Sequence, residues 1–212
     1  MPGKKITINL APADLRKEGS AFDLPISIGI LAASGQISET NFDDYIILGE
    51  LSLDGNLASM KGVLPVAIQA KKDGFKKIIL PIDNANEAAI VDGIDVYGAH
   101  NLKEVIDIIY GKSEITPTKI NTRALFFENL KSSEFDFSDV KGQESVKRAM
   151  EIAAAGGHNI ILVGPPGSGK TMLAKRIASI LPPMSLHEAL ETTKIHSVLG
   201  KVKKMGLIAE RP

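Results

Sequence analysis

The stretch NIILVGPPGSGKTMLAKRIASIL, residues 159–181, constrains the chain more than any other. Its apolar opening NIILV reads as a buried strand, and TMLAKRIASIL reads as an amphipathic helix closed by Pro182 and Pro183. Between them GPPGSGKT fits the pattern G-x-x-x-x-G-K-[ST], with Gly164, Pro165, Pro166, Gly167, Ser168, Gly169, Lys170 and Thr171 in order. Glycines at these places let the backbone curl so that successive N–H groups face phosphate oxygens, and the helix that follows adds its partial positive charge. In such a loop Lys170 reaches the β and γ phosphates and Thr171 places its hydroxyl on Mg²⁺. The expected ligands are therefore ATP and Mg²⁺.

Upstream, the hydrophobic pattern alternates between strand and helix. A strand is expected over 6–10, then a helix over 23–34 with Asp23 as N-cap and Gly35 as its stop. Residues 45–57 read as strand, turn and strand around Asp54-Gly55. A helix over 61–74, a strand over 75–81, a short helix in NEAAIV and a strand in IDVYGA follow. A helix over 101–112 carries Leu102, Val105, Ile106 and Ile109 at helical spacing. Residues 113–138 lack sustained periodicity and read as a linker with one short element near Ala124 to Leu130. After Asp139 come a helix in KGQESVKRAMEIAAAGG, the strand-loop-helix unit, and a helix in SLHEALETTKIHSV from a Ser185 N-cap. The fold class is α/β, with one mixed domain over 1–112, the linker over 113–138 and a second domain over 139–212.

Composition narrows the chemistry. The 212 residues contain no Cys, which removes disulfides, thiolate metal sites and Cys nucleophiles. The formal net charge is zero, so nucleic acid or a membrane would have to be held by a local patch. The longest near-apolar run, 24–33, is far short of the roughly 20 residues that span a bilayer. MPGKKITINLAP lacks the continuous apolar core of a secretory signal, so no membrane contact is expected and the cytoplasm is the expected compartment. His100, His158, His187 and His196 show no metal-ligand spacing. The acid pairs Glu18 and Asp23, or Asp43 and Asp44, define no cleft. Lys201, Lys203 and Lys204 form a short basic cluster that reads first as a solvated loop and second as a phosphate contact.

Taken as one unit, DVKGQESVKRAMEIAAAGGHNIILVGPPGSGKTMLAKRIASILPP resembles the opening of an AAA+ module of the magnesium-chelatase type. ALETTKIHSVLG and GLIAERP resemble the same family, in its ComM/YifB branch. In that family a V-x-G-Q segment lines the adenine pocket, which the resemblance carries to Val140, Gly142 and Gln143. A Lon-protease-like domain of ribosomal-S5-like architecture precedes the ATPase there, and residues 4–112 are similar to it. The resemblance implies a parent that is an ATP-driven homo-oligomeric ring acting on DNA, in branch migration during recombination and competence. Porphyrin metallation is a more remote implication.

Against the family pattern, the chain is expected to be an internal slice: a Lon-like domain short of its start, then an ATPase domain truncated before its acidic second strand. No Asp follows Asp139, and Glu188, Glu191 and Glu210 do not follow apolar strands, so weak or absent turnover is expected. Lon-type proteolysis needs a Ser-Lys dyad, and its two positions fall on Ala21 and Leu64. Ser20 and Lys61 lie beside them, but one residue along a helix turns a side chain by about 100°. No catalytic residue is therefore assigned. The first domain is expected to be a non-catalytic binding or scaffold module, with a Lon-type serine peptidase as the alternative.

Overall fold

The computed structural model describes residues 5–9, 20–38, 42–130, 135–202 and 206–209. The chain divides into two compact units, the first comprising Met1–Thr122 and Thr193–Gly206, the second Arg123–Thr192 and Leu207–Pro212.

The first unit is a parallel sheet covered on both faces. β1 (Tyr45–Ile47), β4 (Lys77–Pro81) and β5 (Asp95–Ala99) lie side by side with β4 in the centre, and β2 (Glu50–Leu51) and β3 (Leu57–Ala58) form a separate antiparallel hairpin. The period of two along β4 decides what packs where. Ile78 and Leu80 face α2 (Val63–Lys72) and α3 (Ile82–Ala88), in one core with Val63, Ala67, Ala85 and Ala88. Ile79 faces the opposite way, toward α1 (Asp23–Ala33) and α4 (Leu102–Ile109), in a second core with Leu24, Ile28, Val105 and Ile108. A central strand buried on both sides reads as a continuous apolar run, as KIILP does.

Local chemistry sets the ends of these elements. Asn101 caps α4: its Oδ1 accepts the Glu104 N–H at 3.0 Å, and Glu104 Oε2 accepts the His100 N–H at 2.7 Å. The expected strand over the first half of 45–57 breaks into β1 and β2 because the chain at Gly49 turns to α1. The Gly49 N–H bonds Ala21 O, its carbonyl accepts the Leu24 N–H, and a Cβ there would lie 3.2 Å from Leu24 Cδ2. Asp23 is not the N-cap of α1. A 3-10 turn over Ser20–Phe22 runs straight into the helix, so Asp23 is its first residue and the cap position is Phe22. Residues 5–9 form no regular element, in contrast to the expected strand, and Ile6 and Ile8 are exposed. Leu10, Glu18, Lys203, Lys204 and Glu210 lie outside the described residues.

In the second unit, α5 (Thr122–Asn129) begins one residue before the unit boundary and fills the short element expected in the linker. α6 (Glu144–Gly156) ends at Gly157 with φ of 63°. α7 (Lys170–Arg176) continues into a 3-10 turn over Ile177–Ile180. Phe137, Val140, Met150 and Leu173 form the core, with Leu162, Ile177 and Ile180 against it. Before α8 (Leu186–Val198), Ser185 and Glu188 form a reciprocal cap: the Glu188 N–H reaches Ser185 Oγ at 3.3 Å and the Ser185 N–H reaches Glu188 Oε2 at 2.7 Å.

One expectation for this unit is corrected. NIILV is not a buried strand: residues 159–163 carry no strand assignment, and Ile161 and Val163 are 84% and 89% exposed. A strand exists through a hydrogen-bonded neighbour, and among the described residues none pairs with this run.

Candidate nucleotide site

Gly164 to Gly169 lead directly into α7, whose first two residues are Lys170 and Thr171, while the strand expected before them is not formed. Gly167 and Gly169 take φ of 80° and 84°, the left-handed region that glycine enters without steric cost. Gly164 is also tight, since a Cβ there would lie 3.1 Å from Ser168 Oγ. Pro165, Pro166, Gly167 and Ser168 are exposed, and the Ser168 N–H bonds Pro165 O at 3.4 Å. Thr171 stands exposed in the first turn of α7.

Lys170 is folded over the loop. Its Nζ donates to Gly164 O at 2.9 Å, to Pro165 O at 2.7 Å and to Ser168 Oγ at 3.3 Å. The ammonium already makes charge-assisted bonds to these neutral carbonyls, and an anionic oxygen in their place would add the attraction between two full charges. The lysine is therefore held in the loop by partners that a polyphosphate can outcompete.

The segment 140–143 comes to the same loop from the other side. Val140 is buried in the core against Leu173 of α7. Gly142 and Gln143 both take positive φ, 67° and 56°, and turn the chain into α6. Gln143 is the one non-glycine residue with positive φ among the described residues, a conformation that costs energy and marks a position worth explaining. Its Nε2 lies 3.6 Å from where a Cβ on Gly169 would stand. The fold thus brings Gln143 to the second glycine bend of the loop, whereas Val140 serves the core beneath.

Sequence reasoning did not single out Arg176, Asp139 or Phe135, which join these two parts. Arg176 Nη2 contacts Asp139 Oδ2 at 3.4 Å and its Nε donates to Asp136 O at 3.1 Å. Read as sequence, Arg176 is one more polar residue on an amphipathic helix, and no spacing rule pairs it with Asp139.

The dyad positions in the first unit carry no peptidase chemistry. Ala21 lies in the 3-10 turn before α1, and Leu64 is fully buried in the first turn of α2. The Ser20 hydroxyl donates to Glu50. The Lys61 stem lies against Gly200, where an added Cβ would meet its Cε at 2.8 Å. A cavity of about 440 Å³ beside Lys61 is lined by Ser59, Asn84, Glu87 and Ser197. Among the described residues no group of three or more His, Asp or Glu is placed to hold a metal, and no helix is long and apolar enough to cross a membrane. His158 has a structural place: its ring occupies the space a Cβ on Gly156 would need.

Comparison with known proteins bears on the family of the chain. The sequence model described as "Subunit ChlI of Mg-chelatase" matches residues 1–84, and that described as "Magnesium chelatase, subunit ChlI" matches 136–212. The chain is 45% identical over 214 residues to protein YifB of Escherichia coli, covering all of this chain and 40% of that protein. It is 42% identical over 213 residues to competence protein ComM of Haemophilus influenzae, covering all of this chain and 41% of ComM. It is also 31% identical over 100 residues to Lon protease 2 of Bacillus subtilis, covering 46% of this chain and 18% of that enzyme. The chain spans about two-fifths of the length of the first two relatives.

Proposed function

Because the chain belongs to the magnesium-chelatase-like AAA+ family, we propose that it binds ATP with Mg²⁺ through its second unit, as part of an ATPase that remodels DNA. Gly164, Gly167, Ser168 and Gly169 supply backbone donors, Lys170 and the start of α7 supply positive charge, and Thr171 supplies a hydroxyl for Mg²⁺. Bound Mg²⁺ would neutralise charge on the β and γ phosphates. Gly142 and Gln143 form the base side of the site, and Val140 supports them from the core beneath.

The observation that carries this reading is Lys170 lying across the curled loop on partners that a phosphate can displace. The name of ComM supports a role in competence, and the reading extends it to a homo-oligomeric ring that acts on DNA in the cytoplasm. The test is calorimetric titration of the chain with Mg-ATP. Saturable binding that falls by at least tenfold in Lys170→Ala, with folding retained, is the expected result; loss of a charge-assisted contact is worth about that much. No binding, or equal binding by the variant, overturns the proposal.

The first unit is proposed to be a non-catalytic docking or scaffold module. Leu64 buried where a catalytic lysine would stand, and Ser20 bonded to Glu50, favour this over a peptidase.

A further inference from the structure

The proposed nucleotide site is assembled from two separate stretches, the loop 164–171 with α7, and the segment 136–143. Their connection runs through one side chain. Arg176 donates from Nε to Asp136 O at 3.1 Å and from Nη2 to Asp139 Oδ2 at 3.4 Å. Its guanidinium carbon lies 5.3 Å from the Phe135 ring centroid, and its Nη1 donates to Met172 O at 3.4 Å within α7. Ser179 adds a link at the same place: its hydroxyl donates to Arg176 O at 2.8 Å and accepts the Phe137 N–H at 2.9 Å. The Arg176 side chain is 17% exposed, while its partner Asp139 is 56% exposed, so the arginine is packed and the carboxylate faces water.

The arrangement is a three-point attachment of 136–143 to the phosphate-loop helix. Arg176 holds its start, Val140 packs on Leu173 in its middle, and Gln143 lies at Gly169 at its end. Among the described residues Arg176 makes no hydrogen bond or ion pair to the loop 164–169, whose shape rests on its own glycines and on Lys170. Gln143 holds a left-handed backbone that isolated chains disfavour, so its place depends on the segment being anchored upstream. A planar fork meeting a carbonyl, a carboxylate and a ring face is a task for arginine, since a lysine ammonium on a flexible stem cannot meet all three.

We infer that Arg176 is a positioning residue that sets recognition of the nucleoside end of the ligand, leaving the grip on the phosphates to the loop. This rests on the proposed ATP site. Arg176 bonds the start of the anchored segment, whereas the loop takes its shape from its own glycines and Lys170, so loss of Arg176 acts first on the segment, which meets the loop where Gln143 lies at Gly169.

The experiment titrates the chain and its Arg176→Ala variant with two probes, Mg-ATP and Mg-tripolyphosphate, which presents the phosphates without base or ribose. The expected result is roughly tenfold weaker ATP binding in the variant, the size of one lost charge-assisted contact, with tripolyphosphate affinity unchanged. Arg176→Lys is expected to fall between, keeping charge but not the fork. Equal weakening of both probes, or of neither, overturns the inference. If Arg176→Ala does not fold cooperatively, Asp139→Asn removes one partner of the fork at a half-exposed site. It should then show the same selectivity at smaller size, and its absence overturns the inference equally. If the unaltered chain binds neither probe, the nucleotide reading fails and this inference falls with it. If ATP binding depends on Lys170 while Arg176→Ala is neutral, the nucleotide reading stands and this inference alone is wrong.

Discussion

The backbone N–H of Leu64 donates to Glu87 Oε1 at 3.1 Å, and the Ser197 hydroxyl donates to the same oxygen. Glu87, on α3, thereby caps the first turn of α2, whose own cap residue Gly62 offers no side chain. Asn84, one turn earlier on α3, bonds both the N–H and the carbonyl of Met60 at 2.9 Å. The start of α2 is thus a structural junction, with the buried Leu64 held under a carboxylate. Removing the carboxylate leaves the α2 donor and the Ser197 hydroxyl without it. Glu87→Ala is expected to destabilise the chain by about 1–3 kcal/mol, the usual cost of a charge-assisted bond and a lost cap. Urea denaturation measures it, and Glu87→Gln should recover part of the loss.

Proteolysis is expected to be absent. A serine nucleophile needs a base within hydrogen-bond reach, and the Ser20 hydroxyl is instead spent on Glu50, a carboxylate that cannot act as the dyad's lysine. The purified chain should leave casein intact, and Ser20→Ala should not change that. Casein cleavage lost in Ser20→Ala would reverse the assignment of the first unit.

How much could be seen beforehand follows from the range of each cause. The central strand, α4 and the phosphate loop were legible because their signals are local: KIILP is apolar on both faces, Asn101 stands beside the helix it caps, and the loop's glycines are adjacent in sequence. The misread elements depend on distant partners. NIILV has strand composition, yet composition does not supply a neighbour to bond it. α3 starts at Ile82, directly after Pro81, instead of within NEAAIV, since packing on β5 recruits Ile82 and Ala85. In the candidate site, the loop residues could be read from spacing, whereas the Arg176–Asp139 pair spans parts of the chain that only the fold brings together.

Two glycines test that packing in opposite directions. At Gly98 in β5 an added Cβ would lie 2.6 Å from Ile82 Cδ1 and 2.9 Å from Ala85 Cβ, so α3 would have to move. Gly98→Ala is expected to destabilise by about 1–3 kcal/mol through overpacking. Gly29 sits inside α1 with nothing within 4 Å of an added Cβ. Gly29→Ala should stabilise by about 0.5–1 kcal/mol, because alanine loses less backbone entropy in a helix. Both are read from urea denaturation midpoints, and a Gly98→Ala chain as stable as the unaltered one would contradict the close approach of α3 to β5.

Acid should act on the segment that carries the base side of the proposed site. The Asp136 carboxyl is held below its ordinary value of 3.8 by hydrogen bonds from the Ser138 backbone N–H and side chain. Its Oδ1 accepts that N–H at 2.8 Å and so caps the 3-10 turn over Phe137–Asp139. A carboxyl depressed in the folded state binds fewer protons there than in the unfolded chain. Its contribution to stability is complete above the ordinary value and is lost as pH falls through the lowered one. Loss therefore falls below pH 3.8 and not near neutrality. Asp136→Asn keeps an oxygen acceptor but removes the titration, so the variant should lose less stability than the unaltered chain between about pH 5 and about pH 3. Urea melts across that range make the comparison, and parallel curves would mean that the carboxylate is not held by Ser138 in solution.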